Sequence, residues 1–280
     1  MTTPSRPAGK IARIIRIHCR AGHPPRREAG ALIGERPLLL KVFGFGSFTI
    51  MRTPGDEIDL AVGFLLAEGI IEGMADLRSV AFRERSNDEV HVYLERPPAH
   101  GRERNLVVNA SCGLCGSKGL DELLDRLDPI DPEGIRVPLE VFYHLPGTLR
   151  SVQTLFGQTG GCHAAALFDA EGKILACRED LGRHNAVDKV IGHALRCQLP
   201  LPGCGLFLSG RVSLEMTIKA ARAGIGLVVA VSAPSDAAHR CAEELGITLA
   251  GFARGEEVAI YTHPHRIVGI PSPPAGKERT

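Results

Sequence analysis

From Pro138 onward the chain alternates stretches that read as helix with short apolar stretches that read as strand, and nothing else in the sequence restricts the fold as strongly. Helix is predicted over 138–156, kinked at Pro146-Gly147 and stopped at Gly157. Strands 164–168 and 173–178 are predicted to pair around Asp169-Ala170-Glu171-Gly172. Helix 185–196, strand 205–208, helix 213–223, strand 227–231, helix 235–245 and strands 247–252 and 258–261 follow. Elements that alternate in this way bury their apolar faces only when helices cover a sheet, so this half is predicted to be an α/β sandwich with a mixed sheet.

The first half reads as a smaller α/β unit. Strands are expected over 11–17, 37–43 and 47–51, the last two around Gly44 and Gly46. Thr53-Pro54-Gly55-Asp56-Glu57 carries the marks of a helix start, with an N-cap hydroxyl, proline at the first helical position and acids in the first turn. Ile58, Ala61, Val62, Leu65 and Leu66 supply that helix with a buried face, and Gly69 stops it. Strands 80–85 and 90–94 form a hairpin around Ser86-Asn87-Asp88, and strand 105–109 leads into two closely spaced cysteines. Leu120, Leu123, Leu124 and Leu127 recur at helical spacing, after which Asp128-Pro129-Ile130-Asp131-Pro132 breaks the pattern. The expected organisation is a basic, partly disordered arm over 1–27, an N-terminal α/β domain over 28–131, a second domain over 132–268 and a tail over 269–280.

Composition narrows the class of protein. Hydrophobic residues make up 44% of the 280, enough for a sizeable core, yet no apolar run approaches the roughly 18 residues of a membrane span. No signal-peptide core is visible near the start, so a cytoplasmic protein is expected. In that setting eight cysteines point to buried or reactive thiols rather than to a disulfide framework. Cys177, Cys197, Cys204 and Cys241 sit in apolar or helical contexts and read as packing residues. Net charge is +1 but uneven: residues 1–27 hold seven Lys and Arg and no acid, so the body is mildly acidic and a nucleic-acid binder is disfavoured.

Three constellations can carry chemistry. The first is Ser111-Cys112-Gly113-Leu114-Cys115-Gly116, between the apolar run 106–108 and an amphipathic segment beginning near Lys118. A thiol at a helix start lies in the field of unpaired N–H groups, which favours thiolate, and the glycines leave it accessible. That field supplies about 0.3–1 kcal/mol, whereas one pKa unit is about 1.36 kcal/mol, so a cation such as Lys118 must help. A zinc site would need Cys162 and His163 as further ligands; a thioredoxin-like dithiol and a structural pair are the other readings. A zinc nucleoside deaminase of the usual kind is excluded, because there is no His-x-Glu and Ser111 rather than proline precedes Cys112.

The second constellation is a pair of loops, Glu179-Asp180-Leu181-Gly182-Arg183-His184-Asn185 and Ser209-Gly210-Arg211-Val212-Ser213, each with glycine and arginine at a predicted helix start. Backbone N–H groups with a guanidinium suit phosphate, although Arg183 and Arg211 would serve equally well as ion-pair partners of Glu179, Asp180 or Glu215. The third is Gly251-Phe252-Ala253-Arg254-Gly255-Glu256, where an aromatic ring and an arginine flank a turn suited to a flat base.

Together with Thr159-Gly160-Gly161-Cys162-His163-Ala164-Ala165, the continuation Ala186-Val187-Asp188-Lys189 and Tyr261-Thr262-His263-Pro264, these stretches resemble the formate dehydrogenase accessory proteins of the FdhD family over roughly residues 30–268. The resemblance implies a sulfur carrier, hence a sulfurtransferase. It would accept sulfane sulfur from a cysteine desulfurase as a persulfide and pass it to the molybdenum (or tungsten) bis(molybdopterin guanine dinucleotide) cofactor before insertion into formate dehydrogenase. It further implies a cytidine deaminase-like second domain without deaminase chemistry, a cytoplasmic homodimer, and no resident cofactor or metal. Cys112 would bear the persulfide and Cys115 assist. Phe252, Ala253, Arg254, Gly255, Glu256 and Glu257 would contact the cofactor, alongside the anion-binding candidates Arg183, His184, Ser209 and Arg211. No role transfers to Cys162. A thiol-disulfide oxidoreductase and a non-catalytic cofactor chaperone remain as alternatives. Since the cysteines and the nucleotide loops fall in different domains, sulfur delivery is expected to require a loop swing or domain closure.

Overall fold

A computed structural model describes residues 10–96, 104–108, 124 and 127–270, and the paired cysteines at 112 and 115, with Lys118, lie outside them. Strands β1 (Ile11–Arg20) and β2 (His23–Ile33) form an antiparallel hairpin that extends the expected 11–17 strand, and the expected boundary after residue 27 falls inside β2. Then come β3 (Arg36–Val42), β4 (Gly46–Arg52), α1 (Glu57–Ala67), β5 (Leu77–Phe82), β6 (Glu89–Leu94) and β7 (Arg104–Val108). The strands make one five-stranded sheet in the order β5-β6-β3-β4-β7. Alternation decides its buried face: Leu38, Leu40 and Val42 of β3, Phe48 and Ile50 of β4, and Val90 and Val92 of β6 share a core with α1.

The start of α1 departs from the sequence reading. The helix begins at Glu57 after Gly55 (φ +104°) and Asp56 (φ +60°), and Asp56 makes no side-chain cap. Thr53 is not the N-cap because its polar groups are committed elsewhere, to Asp180, Leu181 and Lys189 of the second unit.

The second unit comprises β8 (Val137–Pro138), α2 (Leu139–Val152), α3 (Thr154–Thr159), β9 (His163–Phe168), β10 (Ile174–Asp180), α4 (Arg183–Arg196), β11 (Gly205–Leu208), α5 (Leu214–Arg222), β12 (Leu227–Ala230), α6 (Asp236–Glu244), β13 (Thr248–Arg254), β14 (Glu257–Thr262) and β15 (Ile267–Val268). Its six-stranded sheet runs β10-β9-β11-β12-β13-β14, parallel at β11-β12-β13 and antiparallel at the flanks, which is the predicted mixed sheet. Successive residues serve opposite faces: Leu206, Leu208, Val228 and Ala230 pack with α4, α5 and α6, while Phe207, Leu227 and Val229 pack with Phe142, Leu145 and Leu149 of α2. α2 continues through Pro146 and Gly147, where the kink is expected. The helical stretch instead breaks at Gln153 and restarts as α3, because the Glu179 carboxylate accepts the Leu155 and Phe156 N–H groups at 2.8 Å each. It ends at Gly160 (φ +64°), not at Gly157.

The two units share one continuous core, joined where α1 crosses α4. A Cβ added at Gly63 would fall 1.9 Å from the Asp188 carbonyl oxygen, and one at Gly192 would fall 1.9 Å from that of Asp59. Only glycine lets the two backbones approach this closely. Arg178 of β10 and Arg196 of α4 both pair with Asp59 of α1 beside the crossing. Among the described residues no helix is long and apolar enough to cross a membrane.

Gly63→Ala and Gly192→Ala are each expected to lower unfolding free energy by about 1–3 kcal/mol or more, because neither backbone can yield cheaply. Gly157→Ala, in open space on α3, should be neutral or stabilising by about 0.5–1 kcal/mol. Urea midpoints of the three variants check the contrast; equal midpoints for Gly63→Ala and Gly157→Ala would refute the close crossing.

Candidate functional site

The run from Asp180 to Lys189 divides into residues that hold the fold and residues that face a cavity. Asp180 and Lys189 are wholly buried and form an ion pair at 2.7 Å. The Lys189 ammonium also donates to the Thr53 carbonyl at 2.8 Å. Asp180 accepts the Thr53 and Gly182 N–H groups, and the Asn185 amide spans Asp180 and the Met51 carbonyl at 3.0 and 2.7 Å. A buried charge persists only when paired and hydrogen-bonded, and this set satisfies both members while clasping the end of β4. His184 is buried as well and places Nε2 2.6 Å from Glu215 at the start of α5.

On the other side of the same loops lies a cavity of about 660 Å³. Its wall includes Arg150, Gln153 and Phe156 from the α2–α3 stretch, Cys162 and His163 at the start of β9, Leu181 after β10, Ser209 after β11 and Val231 after β12. The carboxyl ends of neighbouring strands β11 and β12 therefore open into it, the usual place for a ligand in an open α/β sheet. The Ser209 hydroxyl accepts the Ala164 N–H at 2.9 Å and ties this loop to β9. The Arg150 guanidinium lies over the Phe156 ring, 4.3 Å from its centroid, as a flat cationic platform in the wall.

Beside the cavity, Gly210 fits between His163 and Arg183: a Cβ there would meet His163 Nδ1 at 3.2 Å and Arg183 Cδ at 3.9 Å. Among the described residues the carboxylates that were candidate partners for the arginines are engaged elsewhere. Glu179 caps α3, Asp180 binds Lys189, and Glu215 binds His184. Among the described residues Arg183 has a buried Nε without a hydrogen-bond partner, and Arg211 is exposed and makes no ion pair. Burial, then the charges of Arg183, His184 and Arg211, hold the His163 imidazole below its ordinary pKa.

The Phe252 turn reaches the rim. Phe252 sits at φ +52° in a bulge of β13, exposed, with the Arg254 guanidinium 5.3 Å from its ring centroid. Arg254 Nε donates to the carbonyl of Val231, which lines the cavity. Ala253 is buried, whereas Gly255, Glu256 and Glu257 form the exposed β13–β14 turn. Thus Ser209, Arg183 and Arg211 gather around His163, Arg254 joins through Val231, and His184 turns toward α5. Cys112 and Cys115 lie outside the described residues. Sequence reasoning missed Arg150, Gln153 and Phe156, which read only as part of a helix, and gave His163 no role here.

Cys162 is no nucleophile. It is buried, its thiol points at Glu179 Oε1 at 3.5 Å, and burial together with that carboxylate pushes its pKa up to about 12. The same features make it a poor zinc thiolate, and no group of three or more His, Cys, Asp or Glu side chains that could hold a metal occurs among the described residues. In the folded protein Cys162 should resist iodoacetamide at pH 8 and react after unfolding, as read by peptide mass spectrometry; ready native labelling would contradict the buried thiol. Lys189→Met should cost about 3–5 kcal/mol by stranding Asp180, and Asp180→Asn with Lys189→Met distinctly less than the two single losses together. Additive losses in denaturant unfolding would show that the pair is not coupled.

Comparison with known proteins agrees with this architecture. A model of the FdhD/NarQ family matches residues 33–268. The sulfur carrier protein FdhD of Nocardia farcinica is 42% identical over 268 residues, covering 92% of this chain and 94% of that protein. That of Saccharolobus solfataricus is 42% identical over 219 residues, covering 78% and 82%. A crystal structure described as that of a formate dehydrogenase accessory protein from Desulfotalea psychrophila superposes with a TM-score of 0.74 at 23% identity, covering 93% of this chain and all of that one, and shows the shared fold. On the family match and the identity to its members, the chain belongs to the FdhD/NarQ family.

Proposed function

We propose that this chain is a sulfur carrier that serves formate dehydrogenase: Cys112 takes sulfur from a cysteine desulfurase as a persulfide and gives it to a bis(molybdopterin guanine dinucleotide) cofactor seated in the cavity. The observation that carries this reading is a cavity lined by Arg150 and His163, with Arg183 and Arg211 beside His163, where Glu179, Asp180 and Glu215 each hold another partner among the described residues. Such a site favours a polyanion, and the Arg150–Phe156 platform suits a flat ring system. The relatives named sulfur carriers support the chemistry.

Chain connectivity supports the pairing of cysteine and cavity. β7 runs parallel to β4, and Val108 lies opposite Ile50. The next residue of β4, Met51, is held by Asn185 two positions after Arg183. Cys112 follows Val108 by four residues, a reach of at most about 14 Å, so delivery to this end of the second sheet needs no separation of the two units. In loading, the Cys112 thiolate attacks the terminal sulfur of the desulfurase persulfide, a sulfur–sulfur bond forms, and the desulfurase thiolate leaves. Cys115 has two balanced uses. It accepts the terminal sulfur with Cys112 thiolate as leaving group, or it attacks Cys112 and releases hydrosulfide as a disulfide closes, the two thiols supplying both electrons. The protein would work in the cytoplasm as a homodimer.

Incubation with a desulfurase and cysteine should add about 32 Da, one sulfur atom, on Cys112, and Cys112→Ala should abolish activation of formate dehydrogenase with the fold intact. Disulfide turnover without client dependence would favour an oxidoreductase, and full activation with both cysteines replaced by alanine a cofactor chaperone. Guanosine diphosphate should bind as a cofactor fragment, and Arg211→Ala should weaken it by about 1.5–3 kcal/mol in a titration while leaving the unfolding midpoint unchanged.

A further inference from the structure

The cavity wall holds a titratable side chain that the described residues leave without a hydrogen-bond partner. His163 is half-buried, lines the wall, and makes no side-chain hydrogen bond among the described residues. Gly210 packs against its Nδ1 and against the Arg183 side chain, so the imidazole and this guanidinium flank one backbone turn whose next residue is Arg211. We propose that His163, Arg183 and Arg211 form a diphosphate clamp in which the imidazole takes up a proton as the ligand binds. The inference deepens the cofactor-binding reading above by naming the part of the nucleotide the clamp recognises and the proton linked to it.

The charge balance motivates the third cation. A nucleoside diphosphate near neutral pH carries about three negative charges, since the second ionisation of a terminal phosphate lies near pH 6. Arg183 and Arg211 supply two positive charges. The groups that face His163 are Arg183 and His184 from α4, Arg211 from the loop after β11, and Asp180 from β10. Arg150 of α2 lines the same cavity, and Glu179 of β10 turns toward α3 and Cys162. Asp180, whose carboxylate acts on His163, is already paired with Lys189. Without ligand the cationic surroundings and burial disfavour imidazolium, and an arriving diphosphate reverses that field. A group whose pKa is higher in the complex than in the free protein makes binding tighter as pH falls, between the free and bound values.

Calorimetric titration of guanosine diphosphate in buffers of different ionisation enthalpy reads the proton directly. Wild type should take up a proton fraction approaching one per ligand near pH 7, and His163→Gln distinctly less, with an affinity loss of about tenfold. Ligand protonation is common to both proteins and cancels in the comparison. Inorganic pyrophosphate should reproduce the difference, and the nuclear magnetic resonance titration of the His163 imidazole in wild type should move to higher pH when pyrophosphate is added, a readout that does not depend on the variant. Equal proton uptake and affinity in wild type and His163→Gln, with an unmoved imidazole titration, would overturn the clamp while leaving nucleotide binding intact. If pyrophosphate binds with linked uptake and guanosine diphosphate binds no better, the clamp stands and the guanine reading fails. Binding of neither would overturn both.

Discussion

A wholly buried lysine sets the geometry on which the rest depends. Lys189 lies in the first helix of the second unit to follow β10, and its ammonium is tolerable only because Asp180 and the Thr53 carbonyl surround it. Satisfying that one charge forces three chain segments to one point: the end of β4, the end of β10 and the first turns of α4. Everything of chemical interest branches from there. Continuing past β10, the chain places Leu181 in the cavity wall and Arg183 beside His163. Alongside β4, β7 carries the chain toward the paired cysteines.

The glycine crossing of α1 over α4 makes this junction a rigid one. Gly63 and Gly192 put backbone against backbone, and Leu60, Phe64, Val187 and Ile191 belong to a single core that includes both sheets. Parting the two units would uncover such side chains at about 1.5–3 kcal/mol each, so a hinge between them exposing four would cost roughly 6–12 kcal/mol. That penalty disfavours domain closure as the way sulfur crosses from one unit to the other.

What was legible in the sequence follows from the range of the forces involved. Strand and helix periodicities are local, and they placed the mixed sheet of the second unit and the hairpin around residues 86–88 with small boundary errors. Capping is local only when no distant partner competes. Thr53 looked like an N-cap, but a buried charge pair from more than a hundred residues away took its N–H and its carbonyl, and the Leu181 N–H took its hydroxyl. The stretch 138–156 looked like one helix with its irregularity at Pro146, but the carboxylate of Glu179 interrupts it at Gln153. The arginines could not be read at all without knowing where Glu179, Asp180 and Glu215 point. Arg150 and Phe156 became a platform only through a helix packed across the sheet end. His163 carried a visible signal, a histidine in a glycine-rich stretch at a strand start, but that no side-chain hydrogen bond reaches it among the described residues is a three-dimensional fact.

The run from 180 to 189 spends its carboxylates on structure, and that is what gives the cavity its character. Asp180 is consumed by Lys189, Glu179 by the start of α3, and Glu215 by His184. Arg150 lines the cavity and Arg183 and Arg211 lie beside its His163, and among the described residues the nearby carboxylates Asp180 and Glu179 are engaged by other partners, although the chain as a whole carries a net charge of only +1. Local repulsion of this kind is a cost in the empty protein, and a polyanion removes it. On the proposed reading, affinity at such a site would be largely affinity for charge, placed by the loops, and the flat platform and the Phe252 turn would discriminate among anions. Because the same ligand interactions are absent from the unfolded chain, occupancy adds to stability as RT ln(1 + [L]/Kd), or about 2.7 kcal/mol when ligand stands at a hundred times its dissociation constant.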